Sequence, residues 1–238
     1  MDWSDHGIVL SARKHGESAA IVTLLTGLHG RHAGLVRGGA GRRARGVYQP
    51  GNRVDATWRA RLAEHLGTYS CELSRAHAAD HLHHPLRLLA LAAACAILDA
   101  GLPEREPHPV LFERLDALLE GLGADGWAAD YVRWEVLLLS ELGFGLDLSA
   151  CAATGATDDL IYVSPRTGRA VSQAAGAPYR DRLLALPSFL AGQIGAPPGA
   201  SDIYDGLKLT GHFLDAHVFA PDDRALPAVR TRLVEGFR

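Results

Sequence analysis

The chain has little of several residue types, and each shortage narrows the class of protein. Only three of its 238 residues are cysteine, and Cys71, Cys95 and Cys151 lie far apart. An odd, scattered set implies no disulfide framework, which agrees with a reducing compartment. The longest apolar run, residues 88–98, is too short to cross a bilayer and predicts a buried helix. The polar, acidic start (MDWSDHG) is unlike a secretory signal, so we expect a cytoplasmic protein with no membrane partner.

Sequence motifs for covalent catalysis are also missing. The chain contains no Gly-x-Ser-x-Gly, no phosphate-binding P-loop and no His-Glu-x-x-His. The adjacent acidic pairs at 158–159 and 222–223 fall in predicted loops, where such residues more often cap or solvate than catalyse. We therefore expect a protein that is not an enzyme.

Charge is distributed unevenly, which the net charge of −3 conceals. Residues 1–62 hold ten Lys and Arg against four Asp and Glu, a net of +6, so the remainder carries −9. A basic N-terminal module of this kind indicates a polyanionic partner such as nucleic acid.

The most basic stretch is the loop at residues 37–46 (RGGAGRRARG). Arginines on a mobile glycine backbone cannot build a core, but each guanidinium can form two hydrogen bonds with a phosphate. Because Gly46, Pro50 and Gly51 follow at once, we expect that no helix forms there. We expect the cations of adjoining strands to converge with the loop on one groove. The predicted DNA-binding residues are Arg13, Lys14, Arg31, Arg37, Arg42, Arg43, Arg45, Arg53, Arg59 and Arg61.

Candidates for base stacking in the basic module are few. Aromatic residues are 7% of the chain, and Tyr48, Trp58 and Tyr69 are the candidates here. This scarcity favours binding led by the phosphate backbone and indifferent to sequence.

Residue patterns predict an α+β protein. Five short strands separated by turn residues suggest a small barrel, and helical periodicity follows from residue 84. In the fourth strand, Val54, Ala56 and Trp58 should point inward. The predicted strands are 6–13, 19–26, 30–37, 53–61 and 67–75, the helices are 84–100, 109–122, 127–144, 180–192 and 201–219, and a hairpin joins 160–163 to 169–172. The expected domains are 1–77 and 78–238, with a hairpin insertion at 147–180.

Four histidines cluster at the expected domain junction, at positions 77, 81, 83 and 84. A metal site is one interpretation. The spacing suits it poorly, and no cysteine or carboxylate set is near, so a solvated junction is the favoured interpretation.

Across its whole length the chain resembles the bacterial RecO family. No single sequence segment establishes the resemblance, but the order and spacing of several segments together are specific. The segments that carry the resemblance are 7–13 (GIVLSAR), 16–17 (GE), 29–30 (HG), Gly38 with the basic loop, 48–51 (YQPG), 141–148 (ELGFGLDL), 151–155 (CAATG), 162–165 (YVSP), 168–171 (GRAV) and 209–214 (LTGHFL).

The resemblance implies an N-terminal OB-fold, a helical C-terminal domain and a recombination mediator in DNA repair, located at the nucleoid. Such proteins bind single- and double-stranded DNA and anneal complementary strands. They cooperate with RecR and with the acidic tail of single-stranded DNA-binding protein to load RecA. An acidic tail with an apolar end needs a basic side chain beside hydrophobic walls, for which the candidates are Arg114, Arg133 and Lys208.

The chain departs from one pattern of the family, a structural zinc held by four cysteines in a ribbon-like hairpin. Cys151 keeps the first position, but Thr154, Ser172 and Ala175 take the others. One thiolate cannot hold structural zinc, so we expect no metal and no cofactor, and a hairpin closed by apolar packing.

Two alternatives from other classes stay open. The basic module could be an RNA-binding OB-fold, or an adaptor whose basic face docks an acidic protein. Preference for RNA in competition with DNA would indicate the first, and no affinity for free oligonucleotide would indicate the second.

Overall fold

The computed structural model describes residues 1–192 and 197–238, which divide into two compact units, Met1–Gly123 and Ala124–Arg238. The first unit runs beyond residue 77, because two helices pack with the strands. The sequence-based boundary after residue 77 stays a prediction.

The first unit is built from strands followed by helices. The five predicted strands are all present, and the first is longer than expected. The elements are β1 (Asp2–His15), β2 (Ala19–Thr26), β3 (Gly30–Val36), α1 (Arg42–Val47), β4 (Arg53–Arg59), β5 (Thr68–Arg75), α2 (His77–Asp80), α3 (Pro85–Gly101) and α4 (Pro109–Gly121).

The strands form a barrel in the order β1-β2-β3-β5-β4, with β4 returning to β1. The ring is completed between β3 and β5 by one parallel bridge, where Leu35 N donates to Gly67 O at 3.0 Å. Gly34 makes this close seam possible, since a Cβ there would lie 2.4 Å from the ring of Tyr69. The expected five-stranded OB-type barrel is confirmed.

Alternation decides which side chains enter the barrel. On β4, Val54, Ala56 and Trp58 are buried while Asp55 and Arg59 are exposed, as the period-two pattern predicts. A bulge in β1 between Val9 and Ser11 breaks the alternation there, and residues 7–10 are all buried.

The helices after the barrel pack on it through the turn before β4. Gly51 has φ +85°, and a Cβ there would lie 2.5 Å from Leu91 of α3, so this contact requires glycine. The same turn is joined to β1, because Gly51 N donates to Val9 O at 2.8 Å.

The second unit combines helices with a small sheet. The helical domain with its hairpin is confirmed. The elements are α5 (Trp127–Glu141), β6 (Leu160–Val163), β7 (Ala170–Ser172), α6 (Gln173–Gly176), a 3-10 turn (Ala177–Arg182), β8 (Leu184–Ala185), α7 (Ala200–Leu214), a π-helical turn (Asp215–Phe219), a second 3-10 turn (Ala220–Asp222) and α8 (Ala228–Glu235).

One predicted helix in this unit is wrong. Residues 180–182 end a 3-10 turn, Leu184–Ala185 form β8, and residues 186–192 are irregular or turn. Strand β8 pairs with β6 and extends the hairpin into three strands. Pro187 disfavours a helical Leu186, whose N–H donates to Ile161 O at 2.9 Å. The apolar spacing fits a helix, but pairing with β6 supplies the backbone hydrogen bonds. The helix α8 has no sequence prediction to match it.

A buried ion pair joins three helices of the second unit. Arg230 of α8 donates to both carboxylate oxygens of Glu135 in α5, each at 2.8 Å, and Thr210 of α7 donates to the same carboxylate. Glu135 is 0% and Arg230 3% exposed. Burial opposes the charge of Arg230, but the Glu135 carboxylate raises the pKa of the guanidinium above its ordinary value. Each charge is therefore tolerated because the other is present.

Membrane-spanning helices were sought in the described residues. None of the helices there combines the length and the apolar character that crossing a bilayer requires.

We predict that Glu135→Ala destabilises the second unit by about 3–5 kcal/mol, because it leaves the buried Arg230 without a counter-charge. Urea unfolding followed by circular dichroism measures the change. The matched control is Asp130→Ala on the same helix, which breaks the exposed Asp130–Arg133 pair and should cost less than about 1 kcal/mol. Equal costs for the two variants would contradict this role for the buried pair.

Candidate nucleic-acid interface

Two of the predicted cations lie at the C-terminal end of β1. Arg13 pairs with Ile21 of β2 and Lys14 with Ala20, and both cations are exposed. The β1–β2 turn follows directly, so these two charges stand at one end of the barrel.

The basic loop reaches the same end. Val36, the last residue of β3, pairs with Ala20 of β2, and Arg37 follows it, exposed. The loop is then joined to the β1–β2 turn, because Ala40 N donates to Ser18 O at 2.9 Å. The register and this hydrogen bond therefore bring the loop beside Arg13 and Lys14.

Contrary to the expectation of a helix-free loop, its second half is helical. Arg42, Arg43 and Arg45 belong to α1, and all three are exposed. The amide of the buried Asn52 donates to Gly46 O and Val47 O, at 2.9 and 3.1 Å, and so caps the end of α1. The prediction failed because this cap comes from a residue beyond the intervening Pro50 and Gly51.

A cleft joins the loop to β1. It encloses about 560 Å³, and its lining includes Lys14, Arg45, Tyr48 and Gln49. No acidic side chain is among the described residues that line it. We call this cleft, together with the cations that the end of β1 and the loop bring to the same end of the barrel, the basic end; its cations are Arg13, Lys14, Arg37, Arg42, Arg43 and Arg45.

The cations of the basic end are available to a ligand. Arg45 is oriented by its own loop, since Nε donates to Ala40 O at 3.1 Å. Within residues 1–192 and 197–238, the other five cations of the basic end have no ion pair or side-chain hydrogen bond.

Two predicted contacts are occupied by the first unit itself. Arg53 donates to Asp116 of α4 at 2.7 Å. Arg31 is half-buried, donates to Leu102 O at 2.8 Å, and lies 3.7 Å from Asp99 and 3.6 Å from Glu104. Both guanidinium groups attach the helical segments to the barrel, and we therefore leave Arg31 and Arg53 out of the proposed surface.

The last two predicted cations lie at the opposite end. Arg59 pairs with Asp2 at the start of β1, and Arg61 follows it. Asp2 and Arg13 are 11 residues apart on β1, which at ~3.3 Å a residue is roughly 35 Å of strand. The predicted convergence on a single groove is therefore not what the structure shows.

The aromatic residues expected to stack on bases are not accessible. Tyr48, Trp58 and Tyr69 are 7%, 2% and 6% exposed and belong to the barrel core. Burial raises the pKa of the Tyr48 hydroxyl above its ordinary value. The structure places other rings in a pocket that the sequence interpretation missed, among them Trp3 and His29. The only sequence signal was the presence of Trp3 near the start of the chain, and no local pattern links it to His29, 26 residues later.

The hairpin does not fit a zinc site. Cys151 is the one thiol, and it accepts a hydrogen bond from Ser172 N at 3.3 Å. Hydrogen bonds from Ser172 and Thr154 lower the pKa of this thiol to about 6. Leu160 and Val171 are buried in the hairpin. In the described part of the chain, no cluster of three or more His, Cys, Asp or Glu side chains is suited to a metal.

Two of the four clustered histidines are not solvated, contrary to expectation. His77 and His81 are 1% and 5% exposed, and burial lowers the pKa of both. His83 and His84 are exposed. The buried pair is therefore neutral and belongs to the packing of the first unit.

The three predicted partner contacts have different surroundings. Arg114 is exposed on α4 in the first unit. Arg133 of α5 is paired with Asp130 at 2.8 Å and lies over the ring of Phe189. Lys208 of α7 lies 5.6 Å from the ring centre of Tyr204, beside a pocket of about 260 Å³ between α7 and α8.

A small barrel with a cationic loop, joined to a mainly helical unit, defines a class of OB-fold protein with an appended helical domain. Two sequence families match: "Recombination protein O N terminal" over residues 1–76 and "Recombination protein O C terminal" over residues 82–226.

Relatives match over almost the full length of both chains. The chain is 60% identical to the DNA repair protein RecO of Rhodospirillum centenum, over 100% of this chain and 95% of that one. It is 52% identical to RecO of Rhodospirillum rubrum, covering 100% and 97%, and 52% identical to RecO of Phenylobacterium zucineum, covering 99% and 97%. The chain belongs to the RecO family, which confirms the resemblance and a role in DNA repair and recombination.

We predict that Arg53 contributes to stability through Asp116. A double-mutant cycle of Arg53→Met and Asp116→Asn, measured by urea unfolding, should give a coupling of about 1 kcal/mol, because both side chains are mostly buried. The exposed pair Arg75–Asp80 is the control and should give a coupling near zero. If the cycle shows no coupling between Arg53 and Asp116, the stabilising role is contradicted and Arg53 becomes a candidate for DNA binding again.

Proposed function

We propose that the basic end of the barrel binds the sugar–phosphate backbone of DNA. The observation that carries the proposal is the group of six cations at one end of the barrel, two of which, Lys14 and Arg45, line a cleft with no acidic side chain in its described lining. Guanidinium groups pair with phosphates through two parallel hydrogen bonds, and each pairing releases counterions. These contacts read no base, so binding should be indifferent to sequence.

Strand annealing follows from such a surface. A cationic face neutralises the repulsion between two strands while their base edges stay free to pair. The protein then acts as a mediator that breaks no covalent bond, and it works on both single- and double-stranded DNA. Family membership supports this, because the relatives are named as DNA repair proteins.

The cellular partners are proposed from the same membership. We place the protein at the nucleoid, where it cooperates with RecR and helps RecA onto single strands coated by single-stranded DNA-binding protein. The acidic tail of that coating protein should bind at Lys208, since its pocket has the apolar walls Leu207, Leu226 and Val234. Arg133 is less suited, because its guanidinium is already held by Asp130.

The basic loop generates a salt-dependence prediction. Replacing Arg37, Arg42, Arg43 and Arg45 by alanine should weaken binding to all DNA sequences alike. In a plot of log affinity against log salt concentration, the magnitude of the slope should also fall by ~0.7–0.9 for each arginine–phosphate pairing that the substitutions remove. Fluorescence anisotropy with labelled oligonucleotides at several salt concentrations measures both effects.

The matched control for the loop variant removes four exposed arginines of the second unit, Arg166, Arg180, Arg182 and Arg232, and so changes the net charge equally. This control should keep the slope of the unmodified protein. An unchanged slope in the loop variant would sink the proposal. Tighter binding of RNA than DNA in competition would favour an RNA-binding module instead.

We predict that Lys208→Glu weakens binding of a peptide with the acidic tail sequence by at least about tenfold, since it puts a like charge beside the peptide carboxylates. Isothermal titration calorimetry measures the affinity. The matched variants Arg114→Glu and Arg133→Glu introduce the same charge elsewhere and should leave it within about twofold. A larger loss in either of them would move the site away from Lys208.

A further inference from the structure

Aromatic rings converge at the end of the barrel opposite the basic end. Trp3 of β1 stacks on His29 of the β2–β3 turn, with ring centres 4.0 Å apart and planes 7° from parallel. Trp58 is stacked 5.8 Å from Trp3, and His32 meets both tryptophans edge-on. Such stacked and edge-on arrangements are the favourable ones for aromatic side chains.

These rings border an open pocket of about 500 Å³. We call it the aromatic pocket; the partly exposed rings of Trp3 and His29 line it together with Leu28 and Arg105, and the buried rings of His32 and Trp58 form its floor. The side chain of His29 is 31% exposed, and its Nδ1 lies 3.2 Å from Asp5 Oδ2, which holds the ring in place. Burial lowers the pKa of His32 to about 4, so this part of the wall is uncharged at pH 7.

Apolar side chains surround the aromatic pocket. Met1 is 73% and Leu28 70% exposed, and both line the pocket. The segment that follows β4 contributes Ala63 to the lining and carries Leu62 and Leu66, which are 46% and 39% exposed. Large apolar side chains concentrated around one opening indicate a binding site rather than ordinary surface.

Cations also border this end. Arg105 donates to Ala63 O at 2.6 Å and to His65 O at 2.9 Å, so it shapes the segment after β4 while keeping its positive charge. Arg59, Arg61 and the ammonium group of Met1 lie on the adjoining strand ends. The carboxylates nearby are Asp2, Asp5, Glu64 and Glu104, so the charges at this end are close to balanced and the rings, rather than a net positive charge, distinguish it.

Resting on the proposed DNA-binding function, we propose that the aromatic pocket accepts an unpaired base of single-stranded DNA. A base is a flat π-system that can stack on the partly exposed Trp3–His29 pair, while flanking phosphates pair with Arg59 and Arg61. A duplex keeps its bases stacked inside, so it cannot fill the pocket. The basic end, whose aromatic side chain is buried, would grip either form of DNA, and the aromatic pocket would favour single strands.

The experiment compares three probes of equal length on the full-length protein: oligothymidylate, an abasic oligodeoxyribonucleotide with the same phosphates, and a duplex. Fluorescence anisotropy at one salt concentration measures their affinities. The unmodified protein should bind oligothymidylate at least about fivefold more tightly than the abasic strand. Trp3→Ala and His29→Ala should remove that preference and leave the abasic and duplex affinities unchanged.

Two further variants guard against loss of folding. Trp3→Phe keeps an aromatic ring and should keep the preference, and thermal melting should match that of the unmodified protein. Phe144→Ala is the matched control, because Phe144 is 39% exposed and stacks on His217 with ring centres 4.9 Å apart in the second unit. It should keep the preference for oligothymidylate.

Equal affinity of the unmodified protein for oligothymidylate and the abasic strand would overturn the proposal, as would a preference that survives Trp3→Ala. If salt-dependent duplex binding is intact, that result rejects base binding in the aromatic pocket but not the proposed function. The exposed apolar side chains around the pocket would then be candidates for contact with a protein partner. Failure of all three probes to bind would sink the proposed function as well.

Discussion

The structure depends on the exclusion of unpaired charge from the inside of a small barrel. Five strands close around an apolar core that includes Val9, Leu24 and Trp58, and an isolated ion moved there would lose its hydration without replacement. Every guanidinium in this N-terminal half must therefore stay in water or find an acceptor. That constraint places the charges on strand ends and loops, which are the positions from which a polyanion is reached.

The same constraint separates arginines that hold the protein together from arginines that remain free. Arg230 is deeply buried with Glu135, and Arg53 is half-buried with Asp116, so each is part of the packing. Arg42 and Arg43 are exposed on α1 and have a role only if a ligand reaches them. Amino-acid composition cannot distinguish these two kinds of arginine, because they differ only in burial and in hydrogen-bond partners.

The two ends of the barrel have different chemistry because β1 is long. One end presents cations without accessible rings, and the other presents Trp3 and His29 with fewer free cations. Under the proposed function this separation matters, because phosphates are common to paired and unpaired DNA but exposed bases are not.

Strand prediction succeeded where a local pattern agreed with the tertiary environment. The alternation of Val54, Ala56 and Trp58 is a period-two signal that the barrel interior satisfies. Helix prediction failed twice. Residues 180–192 were expected to be helical, but pairing with β6 overrides the helical spacing, and α1 was not expected, because its cap comes from the distant Asn52. Both failures involve hydrogen-bond partners that local patterns do not reveal.

The sequence by itself determined the five strands, the helical second half, the uneven charge and the family, because alternation, periodicity and ordered motifs are local or linear properties. Only the tertiary structure decided which charges meet. The register of β1 against β2 and β4 sends Lys14 and Arg59 to opposite ends, and folding brings Trp3 onto His29. Such contacts arise from strand pairing between distant residues, where no short-range pattern carries the information.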